Sequence, residues 1–440
     1  MRRTLPLLPL LILAACDDGG GAITDAAAID TPMNDCGCVN ADTPDPTVTV
    51  QVLDSAGPLA GVPVYFLDGL GAPVAMSATD ALGQAHAVMP TGGSVTAVMA
   101  DAGFGDRLAT ALGVLPGDMI YVRARGGGTD MLIDLTVPAN GSNGHYMVDT
   151  TCGSADVLTE VGTTATFQVQ LFDCGATTDF KVSADNGDGG PVSTFIATNV
   201  AVSDAAAVTL TGTYQPDTTV TQSYSNLPAS VSFVSGERAV VAPRGSLWKT
   251  GFGLDVVAGA ASGTLDVPVV GTPGPTLVAI TRVNRNVGAS HSLVLGHPAD
   301  GDYTLDATGV LLPAILTSAE FDIATHTLAW TEDETGATAD LSFASLQVNR
   351  SQLKQSWTWD VVAPHAAPSI LLPVLPGDAA DYNPIATDDV FVNDHLTAAV
   401  PGGYAVGRTY AHLATSFEHF ASVLTGRLVI ERQFIASKRR

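Results

Sequence analysis

The segment Thr47-Val48-Thr49-Val50-Gln51-Val52 alternates apolar and polar residues without a break. A period of two commits it to a half-buried β-strand with Val48, Val50 and Val52 on one face. Asp54-Ser55-Ala56-Gly57-Pro58 then supplies a turn, and Gly61 to Phe66 reads as a second strand with Pro63 at its start or on an edge. Val74 to Thr79 is a third, closed by the turn Asp80-Ala81-Leu82-Gly83, and Gln84 to Met89 and Ser94 to Met99 continue the series. Short strands at roughly eight-to-twelve-residue spacing, punctuated by turn residues, predict a β-sandwich.

Further along, strands are expected at Tyr146 to Thr151, Thr164 to Phe172, Asp179 to Ala184, Val208 to Tyr214 and Ala229 to Val234. Beyond Asp266 they are expected at Thr276 to Val283, His291 to Leu295, His326 to Thr331 and Ser356 to Val362. Tyr404 to Leu424 fits both the helix and the strand template, and the chain ends in the basic tail Lys438-Arg439-Arg440. No short-period repeat of the solenoid or propeller kind is visible. The fold class is therefore all-β, with tandem Ig-like or similar sandwiches at 47–137, 138–265 and 266–440.

The first unit carries a family resemblance. Val50 to Phe66, Thr79 to Ala85 and Gly92 to Ala97 resemble bacterial Ig-like domains and the carboxypeptidase-regulatory-like sandwiches. Other stretches, including Gly113-Val114-Leu115-Pro116-Gly117-Asp118, look similar to uncharacterised myxobacterial lipoproteins. These families imply a fold and no catalytic residues; the zinc ligands of the carboxypeptidases belong to a separate domain.

The N-terminus reads as an address. Arg2 and Arg3 precede an apolar run from Leu5 to Leu13 that contains Pro6 and Pro9, too short and broken to span a bilayer. Leu13-Ala14-Ala15-Cys16 resembles the lipobox of bacterial lipoprotein precursors. That resemblance implies cleavage after residue 15 and acylation of Cys16, with two or more chains giving a stable membrane anchor. Residues 16–46, opening Asp17-Asp18-Gly19-Gly20-Gly21, lack apolar periodicity and read as a flexible tether. The formal charge of −25 falls to −27 without Arg2 and Arg3, 17 basic against 44 acidic residues. So acidic a chain has no electrostatic attraction for nucleic acid.

Five cysteines leave four once Cys16 is lipidated, an even number that suits an oxidising compartment. Cys36-Gly37-Cys38 sits in the tether, and its pairing stays open. Cys152 and Cys174 each follow a strand-like segment and precede a glycine. Antiparallel neighbours bring such positions within disulfide range, so the two are expected to pair.

Several patterns imitate chemistry. Ser246-Leu247-Trp248-Lys249-Thr250-Gly251 holds overlapping S-x-x-K and K-T-G patterns, and Ser351 to Lys354 repeats the first. Penicillin-binding enzymes place that serine at a helix start with K-T-G far downstream, so coincidence is the better reading. His291/His297 and His412/His419 are the closest histidine pairs and lack a third ligand in sequence. Asp185-Asn186-Gly187-Asp188-Gly189 and Asp300-Gly301-Asp302 offer oxygen donors but not the full calcium loop, and turn formation explains them. Trp357 and Trp359 project to one strand face, where a core role is favoured over a sugar-stacking platform. No metal site, cofactor or catalytic residue is expected.

Two function classes follow. The first is a non-enzymatic cell-envelope lipoprotein, on the periplasmic or surface side of a membrane, displaying sandwiches for a protein or carbohydrate ligand or for structural spacing. The alternative is a periplasmic or surface hydrolase with a site in 266–440, which a clustered His/Asp/Glu/Ser pocket there would favour.

Overall fold

A computed structural model describes residues 45–439 apart from 55, 101–104, 125–128, 142–143, 151, 159–161, 186–192, 242–246, 256–260, 270–275, 286–289, 297–301, 334–335 and 414–433. The predicted signal and the tether up to residue 44, with Cys16, Cys36 and Cys38, lie outside the described residues.

The described chain is built almost entirely from strands, as the alternating pattern predicts. Strands β1 (Thr47–Leu53), β2 (Pro63–Asp68), β3 (Pro73–Ala78), β4 (Gln84–Val88), β5 (Gly93–Met99), β6 (Asp106–Val114) and β7 (Met119–Arg123) make sandwich I. Sandwich II comprises β8 (Thr129–Val137), β9 (His145–Thr150), β10 (Ser154–Leu158), β11 (Ala165–Cys174), β12 (Thr177–Asp185), β13 (Ser193–Ala201), β14 (Ala207–Thr209) and β15 (Gln215–Pro216). Sandwich III comprises β16 (Thr218–Ser225), β17 (Val231–Val241), β18 (Leu247–Asp255), β19 (Gly263–Val269), β20 (Thr276–Arg285), β21 (Ser290–Gly296) and β22 (Tyr303–Asp306). Sandwich IV comprises β23 (Glu320–Asp322), β24 (Thr327–Ala329), β25 (Leu341–Arg350), β26 (Gln355–Pro364), β27 (Ser369–Leu371), β28 (Asp389–Ala399) and β29 (Phe434–Arg439).

One topology recurs. In I, II and III the first strand is central in a three-stranded sheet, antiparallel to the fourth strand and parallel to the last long partner: β4-β1-β7, β11-β8-β14 and β19-β16-β22. The facing sheet always runs third-second-fifth-sixth: β3-β2-β5-β6, β10-β9-β12-β13 and β18-β17-β20-β21. Sandwich IV repeats that second order as β26-β25-β28-β29, while the short β23 takes the outer place beside β24.

The strand pairing groups the described residues into four sandwiches where the sequence expectation has three units. The boundary at 137/138 separates β8 from its own partner β11, and the boundary at 265/266 cuts β19 in two. The sandwiches meet instead in the connections after β7, β15 and β22.

Sandwiches I, IV and III share one twelve-stranded sheet. Strand β26 of IV pairs in parallel with β6 of I, and β29 of IV pairs antiparallel with β21 of III. At the I–IV seam the sheet is buried on both faces. Val64, Phe66, Ala109, Leu341 and Val362 belong to a core under β4-β1-β7, and Tyr65, Val98, Leu108, Trp357 and Trp359 to one under β23-β24-β27. Double-sided burial explains why β26 is buried without a break from Trp357 to Ala363.

Local chemistry agrees with the predicted turns. The Asp80 carboxylate accepts the Leu82 and Gln84 N–H groups at 2.8 and 2.9 Å. Gly83 closes that turn at φ +71, where a Cβ would sit 2.5 Å from the Val52 carbonyl oxygen, so the turn needs glycine. The ambiguous Tyr404–Leu424 segment begins as a helix, α1 (Gly403–Tyr410), followed by a 3-10 turn at Ala411–Leu413. From residue 414 onward it lies outside the described residues.

Cys152 and Cys174 form a disulfide with a Cα–Cα separation of 5.6 Å. The expected reason is corrected: Cys152 lies in the β9–β10 turn and Cys174 at the end of β11, so the bond ties the two sheets of sandwich II together rather than two strands of one sheet. The Phe172 N–H donates to the Cys152 carbonyl at 2.8 Å and holds the sheets in contact beside it. Cys174→Ser should lower the stability of sandwich II by roughly 3 kcal/mol on the chain-entropy model. Urea melts followed by proteolysis within residues 129–216 test this, and an unchanged midpoint would contradict it.

Candidate functional site

The sequence-singled residues fall mostly into structural roles. Ser246 lies outside the described residues, while Lys249 sits on β18 opposite Ala239. Ser351 opens a three-residue 3-10 turn between β25 and β26, and Lys354 ends it in the left-handed region. Leu247–Asp255 is strand and Ser351–Leu353 a single 3-10 turn, so Ser351 starts no α-helix. Trp357 and Trp359 are both buried, as the core reading expects. His291 lies on β21 with His297 outside the described residues, and His412 is described while His419 is not. Asp302 accepts the Thr221 N–H at 2.9 Å, and Asp185 pairs with His145 Nδ1 at 2.7 Å. Residues 186–192, 300 and 301 lie outside the described residues. Among the described residues no three His, Cys, Asp or Glu side chains are placed to hold a metal ion.

One constellation that sequence reading missed does gather in region 266–440. The Ser342 hydroxyl on β25 is hydrogen-bonded to His365 Nδ1 at 2.8 Å, and His365 Nε2 lies 3.4 Å from Glu332 Oε2. Trp330 Nε1–H donates to Glu332 Oε1 at 2.6 Å, and the His395 ring centroid lies 4.0 Å from that of Trp330. Both His395 nitrogens and Thr397 Oγ1, two residues apart on β28, are buried without a hydrogen-bond partner among the described residues. The order hydroxyl–imidazole–carboxylate matches a nucleophile relay, but its nitrogens are exchanged: a serine triad takes the proton at Nε2 and orients through Nδ1. Ser342 is also only 1% exposed. As it stands, the arrangement fastens β25 to the loops that precede β25 and follow β26. The alternation of Leu341–Arg350, strict enough to place Ser342 inward beside Ala344, was the signal available for it.

The densest buried polar chemistry lies at the I–IV seam. Arg107 on β6 donates from Nε to Asp360 Oδ2 on β26 at 2.6 Å, and a second nitrogen of the same guanidinium lies 2.6 Å from that oxygen. A further nitrogen of that group reaches the Arg123 carbonyl. Trp359 Nε1–H donates to Thr110 Oγ1 at 2.8 Å, and Tyr382 donates to Asp106 at 2.5 Å. From the C-terminal segment, His412 Nε2 donates to the Thr110 carbonyl at 2.8 Å, and Arg408 reaches the Gly113 carbonyl and the Asp118 carboxylate at 2.9 and 2.7 Å. Tyr121 and Tyr410 stack with centroids 5.5 Å apart. Apart from the Arg107–Arg123 contact, every one of these joins residues more than 240 apart in sequence, which is why no local motif announced them.

Burial pushes His412 and His395 down to about 4. In the unfolded chain both titrate near 6.5. Their contribution to stability is therefore present above about pH 6.5 and is lost as pH falls toward 4, because the unfolded state then binds protons the folded state refuses. His145 has the opposite sign: its hydrogen bond to Asp185 raises it, so its contribution is present in acid and lost as pH rises. Thermal melts should show the transition falling between pH 6.5 and 4, and His412→Gln, which keeps a donor for Thr110, should flatten part of that fall. An identical pH slope in the variant would contradict the assignment.

No protein-family model and no curated protein matches the chain. Among solved structures it is similar to the Bacillus anthracis TIE protein at 11% identity, over 60% of this chain and 50% of that one, with a TM-score of 0.16. It therefore spans about half the length of that protein. The shaft pilin SpaA of Lactobacillus rhamnosus GG matches 39% of this chain and 98% of its own at 13% identity and a TM-score of 0.13. A family CBM26 module of Eubacterium rectale Amy13K matches 39% and 95% at 10% identity and a TM-score of 0.13.

Proposed function

We propose that this chain is a non-enzymatic cell-envelope lipoprotein, anchored through Cys16, whose fused sandwiches act as a stiff carrier that holds sandwich II for surface interaction. The observation that supports it best is the continuous ladder through I, IV and III. It turns three sandwiches into one sheet, whereas sandwich II keeps its own two sheets and its own core. The Cys152–Cys174 disulfide fits an oxidising compartment. Among the described residues no helix is long and apolar enough to cross a membrane, so attachment falls to the lipobox-like Leu13-Ala14-Ala15-Cys16. The ligand class is a protein or a carbohydrate; all three tryptophans with described side chains are buried, so sugar stacking by tryptophan is not the mode these residues offer.

Cys16→Ser should release the chain from the membrane or leave an uncleaved precursor. The wild-type N-terminal peptide should carry acyl mass. Continued membrane association of the variant after detergent-free washing, with no acyl mass on the wild-type peptide, would refute the anchor.

The hydrolase reading rests on Ser342, His365 and Glu332 alone. It requires Ser342 to be labelled by a serine-directed fluorophosphonate in the native chain and Ser342→Ala to abolish the labelling. The carrier reading predicts no labelling at Ser342 until the chain is unfolded.

A further inference from the structure

The two flanking strands on the open side of sandwich I are sheet edges of six and five residues that hold no acid, lysine or arginine. Exposed edges present unpaired N–H and C=O groups, and proteins ordinarily guard them with charged side chains. Elsewhere β10 carries Asp156, β19 Asp266, β22 Asp306, β7 Arg123 and β23 Glu320 and Asp322, while the edges β14, β15 and β27, which carry no charge, are only two or three residues long. Strand β3, with the sequence Pro-Val-Ala-Met-Ser-Ala, carries none, and neither does β4, Gln-Ala-His-Ala-Val. The two run side by side, β3 at one end of the twelve-stranded sheet and β4 at an edge of the sheet facing it.

Apolar surface concentrates on the same flank. Leu70, Val74, Met76, Leu82 and Val88 are 44 to 96% exposed, and they are five of the fourteen large exposed hydrophobic side chains among the described residues. The one acid between Gly69 and Pro90 is Asp80, and its carboxylate is turned onto the Leu82 and Gln84 N–H groups.

We infer that this flank is a self-association surface: β3 of one copy adds antiparallel to β3 of a second, about a two-fold axis, burying Val74 and Met76 of both. Three observations choose a second copy as the occupant. The chain already joins equivalent sandwich edges this way, since β21 and β29, which hold the same sheet position in III and IV, pair antiparallel. Strand β26, the counterpart of β3 in sandwich IV, has its outer edge covered by β6, so this edge position takes a strand elsewhere in the same molecule. A net charge of −25 repels another copy over most surfaces, and an uncharged flank is where two copies meet without that repulsion. It also offers no counter-charge to a basic or acidic partner. A two-fold pairing closes, because each β3 then uses its single free edge.

The test is sedimentation of the full chain in density-matched detergent, which reports protein mass alone. A two-chain particle is expected, with Met76→Lys and Ala75→Pro each weakening it at least about tenfold and Leu158→Lys on the β10 edge leaving it intact. A wild-type monomer at roughly 100 µM overturns the proposal, as does a dimer that survives both β3 variants. Should those variants fail to fold, hydrogen exchange of the wild type decides: β3 amides must lose protection on dilution. Protection independent of concentration overturns it.

Discussion

The fold depends on the parallel pairing of β6 with β26, two strands about 250 residues apart, and on the buried Arg107–Asp360 pair beside it. Through that pairing the first and last sandwiches become one body, and the second and third are carried between them along the chain. Parallel pairing is most often found where both faces are covered, and at this seam both are. The cover comes from β4-β1-β7 with α1 on one side and from β23-β24-β27 with the Gly377–Tyr382 turn on the other. Without the seam, Trp359, Leu108 and Tyr65 would lose the partners that bury them.

Buried arginines recur around that seam. Arg350 holds Asp388 through two bonds of 2.9 and 2.8 Å, reaches the Asp381 and Asn383 carbonyls, and lies 5.0 Å from the Trp357 ring centroid. Arg408 does the same for the C-terminal helix against Asp118. Removing one partner of a buried pair costs about 3–5 kcal/mol, because the other is left charged and dry. A one-residue slip of β26 along β6 would incur that cost at Arg107 and would also exchange the two apolar faces. Register is thus set by charge and by packing together. A chain with so few basic residues keeps arginines at the places where forked, multiple hydrogen bonds fit.

Much of the strand content was legible. Val48, Val50 and Val52 announced β1, and Asp54 and Asp80 announced turns that their carboxylates do cap. The residues Cys152 and Cys174 were legible as a pair, although the sheets they connect were not. The fourfold topology was hidden because it is a repeat of strand order and not of residues: β1, β8, β16 and β24 share a position without sharing a sequence. Strand β6 begins Asp-Arg and β28 contains Asn-Asp, so polar residues masked strands whose interiors are buried. The Ser342–His365–Glu332 chain escaped because its members come from β25 and from loops on either side of the β25–β26 hairpin, brought together by tertiary packing alone.

The most direct test of the central claim is an oxidative cross-link at the seam. Ala111 and Val362 are register partners in the β6–β26 ladder and are both buried in the core beneath β4-β1-β7. Neighbouring strands lie about 4.8 Å apart, within the Cα range a disulfide accepts. The double variant Ala111→Cys/Val362→Cys should form that bond on mild oxidation, seen as a single linked peptide pair by non-reducing mapping. Recovery of both as free thiols from the folded, oxidised chain would contradict the seam.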